Sequence, residues 1–353
     1  MPPITRIKVQ NIRIHTMYEL ALLPSTTVIT GANGSGKTSL IEALYICLQG
    51  SSFKGTDPEV LKADADWYRI DVELSDGSMR TVKFDPSRPS GKKKFEIAGG
   101  SQYRMLPKYK YPVVLFEPDD LRLLHGSPAR RREYFDRFIS QLDPLYAVAL
   151  RRYERALKQR NALLKRPGIS GDDLFVWDVS LSEHGAYIIQ QRAWYVAWLQ
   201  SKLGQVYERI SGIHDIVGVE YPGGSITKQQ LLSLLHSNVK KDILTGFTGV
   251  GPHRHDILFT YNNVAALSVA SRGEVRSILL ALKFIEVEIL EQQFQHKPII
   301  LLDDVFSELD KSRQANLMTK FRDYQIIITS TQAIQILGAR IVEITQSAKD
   351  QSR

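Results

Sequence analysis

Apolar residues near the start of the chain alternate with Arg6, Lys8 and Arg13, the two-residue period of a strand. A second strand is predicted over residues 27–30, and helix formers follow at 39–44 after a glycine-rich turn. Residues 68–74 alternate again, Ser75-Asp76-Gly77 is a turn signal, and 81–84 resume the strand. Residues 111–116 read as a buried strand. Beyond Ser127-Pro128, a cap followed by a first-turn proline, the period lengthens. Three helices are expected there, over 129–140, 144–165 and 172–210, with Pro167, Gly168 and Gly171 as punctuation. Strands return at 217–221 and 257–260, and later at 298–304 and 325–331. This pattern predicts an α/β head in two sequence parts, 1–126 and 214–353, with a helical insertion over 127–213.

The strand at 27–30 leads into Gly31-Ala32-Asn33-Gly34-Ser35-Gly36-Lys37-Thr38, the G-x-x-x-x-G-K-[ST] phosphate-binding loop in its strand–loop–helix setting. Glycines let successive N–H groups aim inward as an anion nest, and the following helix adds its positive end. Lys37 suits the β- and γ-phosphates, and Thr38 suits Mg²⁺. Ser39, next along, joins the same nucleotide-binding set. A nucleoside triphosphate, ATP with Mg²⁺, is the expected ligand.

The apolar run Pro298-Ile299-Ile300-Leu301-Leu302 ends in Asp303-Asp304. A strand's carboxyl end is where α/β sheets bind ligands. Asp303 fits the Walker-B role of holding Mg²⁺, and Asp304 is placed to orient or deprotonate water. Upstream, Ala270-Ser271-Arg272-Gly273-Glu274 opens a helical stretch, a second anion-binding end similar to the signature of ABC-type ATPases. Ser307-Glu308-Leu309-Asp310 resembles their D-loop. A signature that caps ATP on another subunit implies a two-fold homodimer, with Ser271, Arg272 and Gly273 acting in trans.

Charge extends this picture. Lys+Arg 46 against Asp+Glu 38 gives +8, which favours a polyanion such as DNA. Arg151, Arg152, Arg155, Lys158 and Arg160 crowd one predicted helix, read either as a solvated face or as an arm on a duplex backbone. Arg151, Arg152, Lys158 and Arg160 are the candidate DNA contacts. Lys92-Lys93-Lys94 reads as a hairpin tip, with a DNA contact as the other possibility. Cys47 alone gives no disulfide framework, which suits a reducing cytosol, and no run of eighteen apolar residues predicts a membrane span.

Five stretches make a more specific match: 33–43, 115–121, Gly126-Ser127-Pro128-Ala129-Arg130-Arg131-Arg132, 157–165 and Gly251-Pro252-His253-Arg254. Over nearly its full length the chain resembles the RecF family of bacterial DNA repair ATPases. The resemblance implies an ABC-type phosphate-loop head of mixed sheets around the loop's helix, with an inserted α-helical domain. It also implies a slow, DNA-stimulated ATPase of recombinational repair that dimerises with ATP on double-stranded DNA, near single-strand/double-strand junctions, with RecR and RecO. Asn11-Ile12-Arg13 is similar to a family run whose arginine approaches the nucleotide. Glu117-Pro118-Asp119-Asp120 takes the Q-loop place without a glutamine, leaving open which acid serves. Thr329-Ser330-Thr331 stands where transporter ATPases carry a switch histidine. His255 replaces a family aspartate, and the resulting His253-x-His255 pair is thin as a metal site. Asp304 is shorter than the glutamate of fast ABC-type enzymes, so slow turnover is expected. Two other readings are a transporter's nucleotide-binding subunit and an ATP-binding scaffold that hardly hydrolyses.

Overall fold

The computed structural model describes residues 2–332 and 334–344. In chain order the elements are β1 (Ile4–Ile12), β2 (His15–Ala21), β3 (Thr26–Thr30), α1 (Lys37–Gln49), α2 (Asp57–Val60), β4 (Tyr68–Leu74), β5 (Met79–Phe84), β6 (Lys93–Ile97), β7 (Gly100–Gln102) and β8 (Val113–Phe116). There follow α3 (Pro128–Leu142), α4 (Pro144–Leu163), α5 (Gly171–Ser211), β9 (Val217–Glu220), α6 (Lys228–Thr245), β10 (Leu258–Tyr261), β11 (Val264–Ala265), α7 (Ala266–Val269) and α8 (Arg272–Phe294). The chain ends with β12 (Ile299–Asp303), α9 (Lys311–Lys320), β13 (Ile326–Ser330) and β14 (Arg340–Glu343).

By compactness there are two units, Met1–Pro118 with Glu286–Arg353, and Asp119–Ile285. The first holds two sheets. One is antiparallel, in the order β2-β1-β4-β5-β6-β7; the other is parallel, β14-β3-β13-β12-β8. Leu40, Ile41, Leu44, Tyr45 and Leu48 of α1 share one core with Ile7, Ile70 and Val82 of the antiparallel sheet and Ile29, Leu301 and Ile327 of the parallel one. Helix α1 is buried on nearly every side, apolar from Leu40 to Leu48 apart from Glu42, which pairs with Arg13. Cys47 lies in this core, where burial pushes its thiol up to about 11.

The second unit combines the helices α3 to α6 with the antiparallel sheet β11-β10-β9. The boundaries expected at 126 and 213 both fall inside it. The physical reason is visible in α5 and α6. The buried face of α5 includes Leu199, Leu203, Val206 and Tyr207, and it continues beside buried Val217 and Val219 of β9. Helix α6 was missed by strand-like reading after residue 214. Its signals were Thr227 with Gln230, a capping box, and buried Leu231, Leu235 and Val239 at four-residue spacing. Lys93 and Lys94 are strand residues rather than a hairpin tip: Lys93 pairs with Asp57 at 2.5 Å and Lys94 with Glu96 at 3.0 Å. Among the described residues no helix is long and apolar enough to cross a membrane.

Candidate functional site

The phosphate loop begins where buried β3 ends at Thr30. Gly36 takes φ 91° immediately ahead of α1, and a Cβ there would run into the His15 ring. A Cβ on Gly31 would come within 2.7 Å of Ile344 O and 2.8 Å of Ser35 Oγ. Only glycine fits this cradle. No side chain caps the first turn of α1, and the buried Ser35 Oγ has no hydrogen-bond partner among the described residues. Lys37 Nζ donates to the loop's own carbonyls, Gly31 O at 2.8 Å and Ala32 O at 2.9 Å. Orphan donors, a helix N-terminus and an ammonium on one concave loop suit a phosphate chain.

Strand β12 lies between β8 and β13, so its carboxyl end opens beside α1. Thr38 Oγ1 donates to Asp303 Oδ1 at 2.7 Å, joining residues 265 positions apart. Thr329 Oγ1 donates to the same oxygen at 2.9 Å and accepts Asp304 N at 2.9 Å. Asp303 is 1% exposed. A hydroxyl beside a buried carboxylate is a hard-oxygen donor set that fits Mg²⁺. Asp304 adopts a left-handed φ of 55°, and its Oδ1 accepts Thr331 N at 3.2 Å. Such a conformation is costly for a non-glycine residue and is found where a side chain must be aimed. The strand register sets Leu302 opposite Phe116, so Glu117 follows directly at the carboxyl end of β8.

The other two Q-loop candidates belong to the second unit. Buried Asp120 pairs with Lys283 at 3.2 Å and Arg137 at 3.3 Å, and Asp119 meets Arg130 at 3.0 Å. Arg13, expected near the nucleotide, is held by its neighbours. Nε and Nη2 donate to Glu42 at 2.8 and 2.7 Å, and Nη1 donates to Glu59 O at 2.5 Å. His15 Nε2 stands 3.0 Å from Gly36 O, and burial lowers its pKa. Glu42, His15 and Lys54, whose Nζ stands 3.4 Å from Asp303 Oδ2, also line this site with no role read for them from a motif, whereas Thr329, noted only as standing where a switch histidine would be, bonds Asp303. The only signal in the sequence was their nearness to motifs.

In the second unit Ser271 precedes α8 as its cap. Ser271 N donates to Glu274 Oε2 at 2.5 Å, and Glu274 N to Ser271 Oγ at 3.3 Å. Arg272 and Gly273 form the helix's first turn. In the D-loop stretch Asp310 caps α9 by accepting Arg313 N at 2.9 Å.

Of the four candidate DNA contacts, Arg151, Arg152 and Lys158 are exposed on α4. Arg160 is not, and the expectation is corrected. It is 0% exposed, donating to Asp178 at 2.5 Å, Asp242 at 2.6 Å and Thr248 Oγ1 at 2.9 Å. It sits on the α4 stripe of Tyr146, Ala149, Tyr153 and Ala156, which faces inward. The residues around Gly251-Pro252-His253-Arg254 are held by other arginines of this unit. Arg131 forks onto Asp256 with two bonds of 2.8 Å, Arg132 donates to His255 O at 2.8 Å, and Arg192 to Pro252 O at 2.8 Å. His253 and His255 both face tyrosines, Tyr153 at 2.6 Å and Tyr221 at 2.8 Å.

A family profile described as AAA domain matches residues 6–115. A DNA replication and repair protein RecF from Lachnoclostridium phytofermentans is 30% identical over 95% of this chain and 94% of its own length. Those from Clostridium novyi (31%, 94% of each chain) and Bacillus cereus (32%, 93% of this chain and 92% of its own) agree. Among solved structures, the recombination mediator protein RecF with ATP superposes with TM-score 0.85 at 28% identity, covering 97% of this chain and 95% of that one. A head of an SMC protein bound to ScpA, at 13% identity and TM-score 0.53 over 98% and 95% of the two chains, shares the fold alone. The head is thus an α/β ATPase fold of mixed sheets around the loop's helix, and the chain belongs to the RecF family.

Proposed function

We propose that this protein is an ATP-dependent double-stranded-DNA-binding switch of recombinational repair and replication restart. The observation that carries the reading is the 2.7 Å bond from Thr38 to Asp303, which assembles both ends of the chain into one nucleotide site. The loop N–H groups, Ser35, Ser39 and Lys37 bind the phosphates, with Lys37 exchanging the Gly31 and Ala32 carbonyls for the β- and γ-oxygens. Thr38 and Asp303 would hold Mg²⁺, which would supply charge neutralisation for the phosphates. Asp304 orients the attacking water. A short carboxylate tied to Thr331 N is a poorly placed base, so hydrolysis is slow. Glu117, at the end of β8, takes the Q-loop place, and Arg13 reaches nucleotide by opening its pair with Glu42.

Ser271, Arg272 and Gly273 cap ATP held by a second copy, so ATP drives an isologous dimer. Helix α4 of the second unit presents Arg151, Arg152 and Lys158 to the duplex backbone. Pairing two arms sums their phosphate contacts and makes affinity depend steeply on salt. The similar RecF structure is described within the RecFOR pathway, which supports RecR and RecO as partners; the proposed place of action is a single-strand gap in cytoplasmic DNA. A second reading, an ATP-binding scaffold with little turnover, draws on the same tethering of Asp304.

Duplex-DNA binding by fluorescence anisotropy with ATP, ADP or no nucleotide tests the proposal, beside Ser271→Arg. Tight binding only with ATP, lost in the variant, is expected. Equal binding in all states would overturn the switch.

A further inference from the structure

Lys54 lies outside every motif, yet its ammonium stands 3.4 Å from Asp303 Oδ2. The opposite oxygen of that buried carboxylate takes Thr38 and Thr329. The stretch carrying Lys54 is fixed on both sides. Ahead of it, Ser52 Oγ donates to Glu42 Oε1 at 2.5 Å and accepts the N–H groups of Lys54 at 2.8 Å and Gly55 at 3.1 Å. Glu42 is in turn gripped by Arg13. Behind it, Thr56 and Glu59 form a capping box, and Asp57 accepts Tyr68 Oη at 2.7 Å and Lys93 Nζ at 2.5 Å. A lysine 38% exposed on a four-carbon stem is ordinarily solvated. Here its backbone is tied to α1, β4 and β6, so its reach to Asp303 is set by the fold.

We propose that Lys54 competes with the divalent cation for Asp303, and so sets the cation concentration at which nucleotide is held tightly. The inference rests on the nucleotide reading above. An ammonium on Oδ2 offsets the carboxylate's charge, and a dication brought to the same group meets a like charge about 4 Å away. Lys54 must swing out for the cation to be held. Its 38% exposure gives the side chain a solvated path on which to do so. The couple works in both directions: cation binding releases the ammonium toward solvent, and loss of cation restores the pair.

Binding of a fluorescent ADP analogue is titrated against free Mg²⁺ with the full chain and with Lys54→Met and Lys54→Arg. The methionine variant is expected to reach half-saturation at about three- to fivefold lower free Mg²⁺, the worth of a partly exposed ion pair. Its affinity in EDTA stays that of wild type, and arginine restores the wild-type midpoint. Amine acylation read by mass spectrometry needs no variant, and Lys54 should label faster once Mg²⁺ and ADP are present. A wild-type Mg²⁺ dependence with an unchanged midpoint in Lys54→Met, or equal Lys54 labelling in both conditions, overturns this inference and leaves the nucleotide site standing. Mg²⁺-independent ADP binding in wild type likewise overturns this inference alone, and no ADP binding at any Mg²⁺ concentration overturns both.

Discussion

Replacing Arg160 by methionine separates a fold-holding arginine from a DNA-binding one. Arg160 serves two carboxylates, Asp178 at 2.5 Å and Asp242 at 2.6 Å, with exposures of 2% and 0%. It also donates to Thr248 Oγ1, which is tied to Asn161 Oδ1 at 2.8 Å, while Gly249 N holds the far oxygen of Asp242 at 2.9 Å. Methionine of similar length fills the space and removes the charge. Two buried carboxylates then face each other without a cation, a loss of about 3–5 kcal/mol for breaking one buried pair. At roughly 2–4 °C per kcal/mol for a unit of this size, the unfolding midpoint falls by about 6–20 °C.

The loss carries a pH signature. Burial already raises the Asp178 carboxyl above its ordinary value, against the pull of Arg160, and removing the arginine leaves burial unopposed. An acid whose folded pKa is raised contributes stability that is full below the unfolded value, 3.8, and lost as pH rises through the folded one. The deficit of Arg160→Met is therefore smallest near pH 4 and full by pH 8. Calorimetry at both pH values, with duplex binding measured on the folded fraction, is the assay. A wild-type midpoint at pH 8 together with weakened DNA binding would refute the burial argument and return Arg160 to the DNA surface.

Further outcomes follow from other residues. Charge reversal of Arg151, Arg152 and Lys158 should leave stability within about 0.5 kcal/mol of wild type, weaken DNA binding, and flatten its log–log salt slope by about 0.9 per lost phosphate contact, read by anisotropy across a salt series. Asp304→Asn should keep ATP affinity while phosphate release falls, leaving an ATP-held dimer on DNA that gel filtration detects. Gly36→Ala forces a side chain into positive φ and onto the His15 ring, so nucleotide affinity should drop at least about tenfold by fluorescence titration. Burial lowers His253 to about 4 from 6.5. A base lowered on folding contributes stability above 6.5 that is lost as pH falls toward 4. That loss is of order 3 kcal/mol, and His253→Gln should flatten it in urea melts.

The phosphate loop was legible in the sequence because eight consecutive residues carry it, with a strand before and a helix after. Asp303 was legible because a fully buried parallel strand leaves an unbroken apolar run that ends on it. Lys54 and Glu42 were not legible. Their roles depend on partners 249 and 29 positions away, and no local rule names the partner of a lone lysine or glutamate. The unit boundaries escaped for a related reason. Helix α5 hands its buried face to a strand and a helix that follow it, so a change of period at residue 213 marks no change of core.

Arg160 shows where a finer reading of the same letters would have reached further. Tyr146, Ala149, Tyr153, Ala156 and Arg160 fall at alternating spacings of three and four, the seam of a packed helix. Arg151, Arg152, Arg155 and Lys158 fall off that seam, and all four are exposed. Counting basic residues merges the two sets; placing them on the helix separates them. A charge on the seam must bring its partners inside with it. Such a residue ties α4 to Asp178 and Asp242, and under the proposed function this fixes the spacing of the exposed cations against a regular phosphate backbone. One helix therefore carries a buried ion-pair cluster on one side and the proposed DNA surface on the other, and the two should fail separately when mutated.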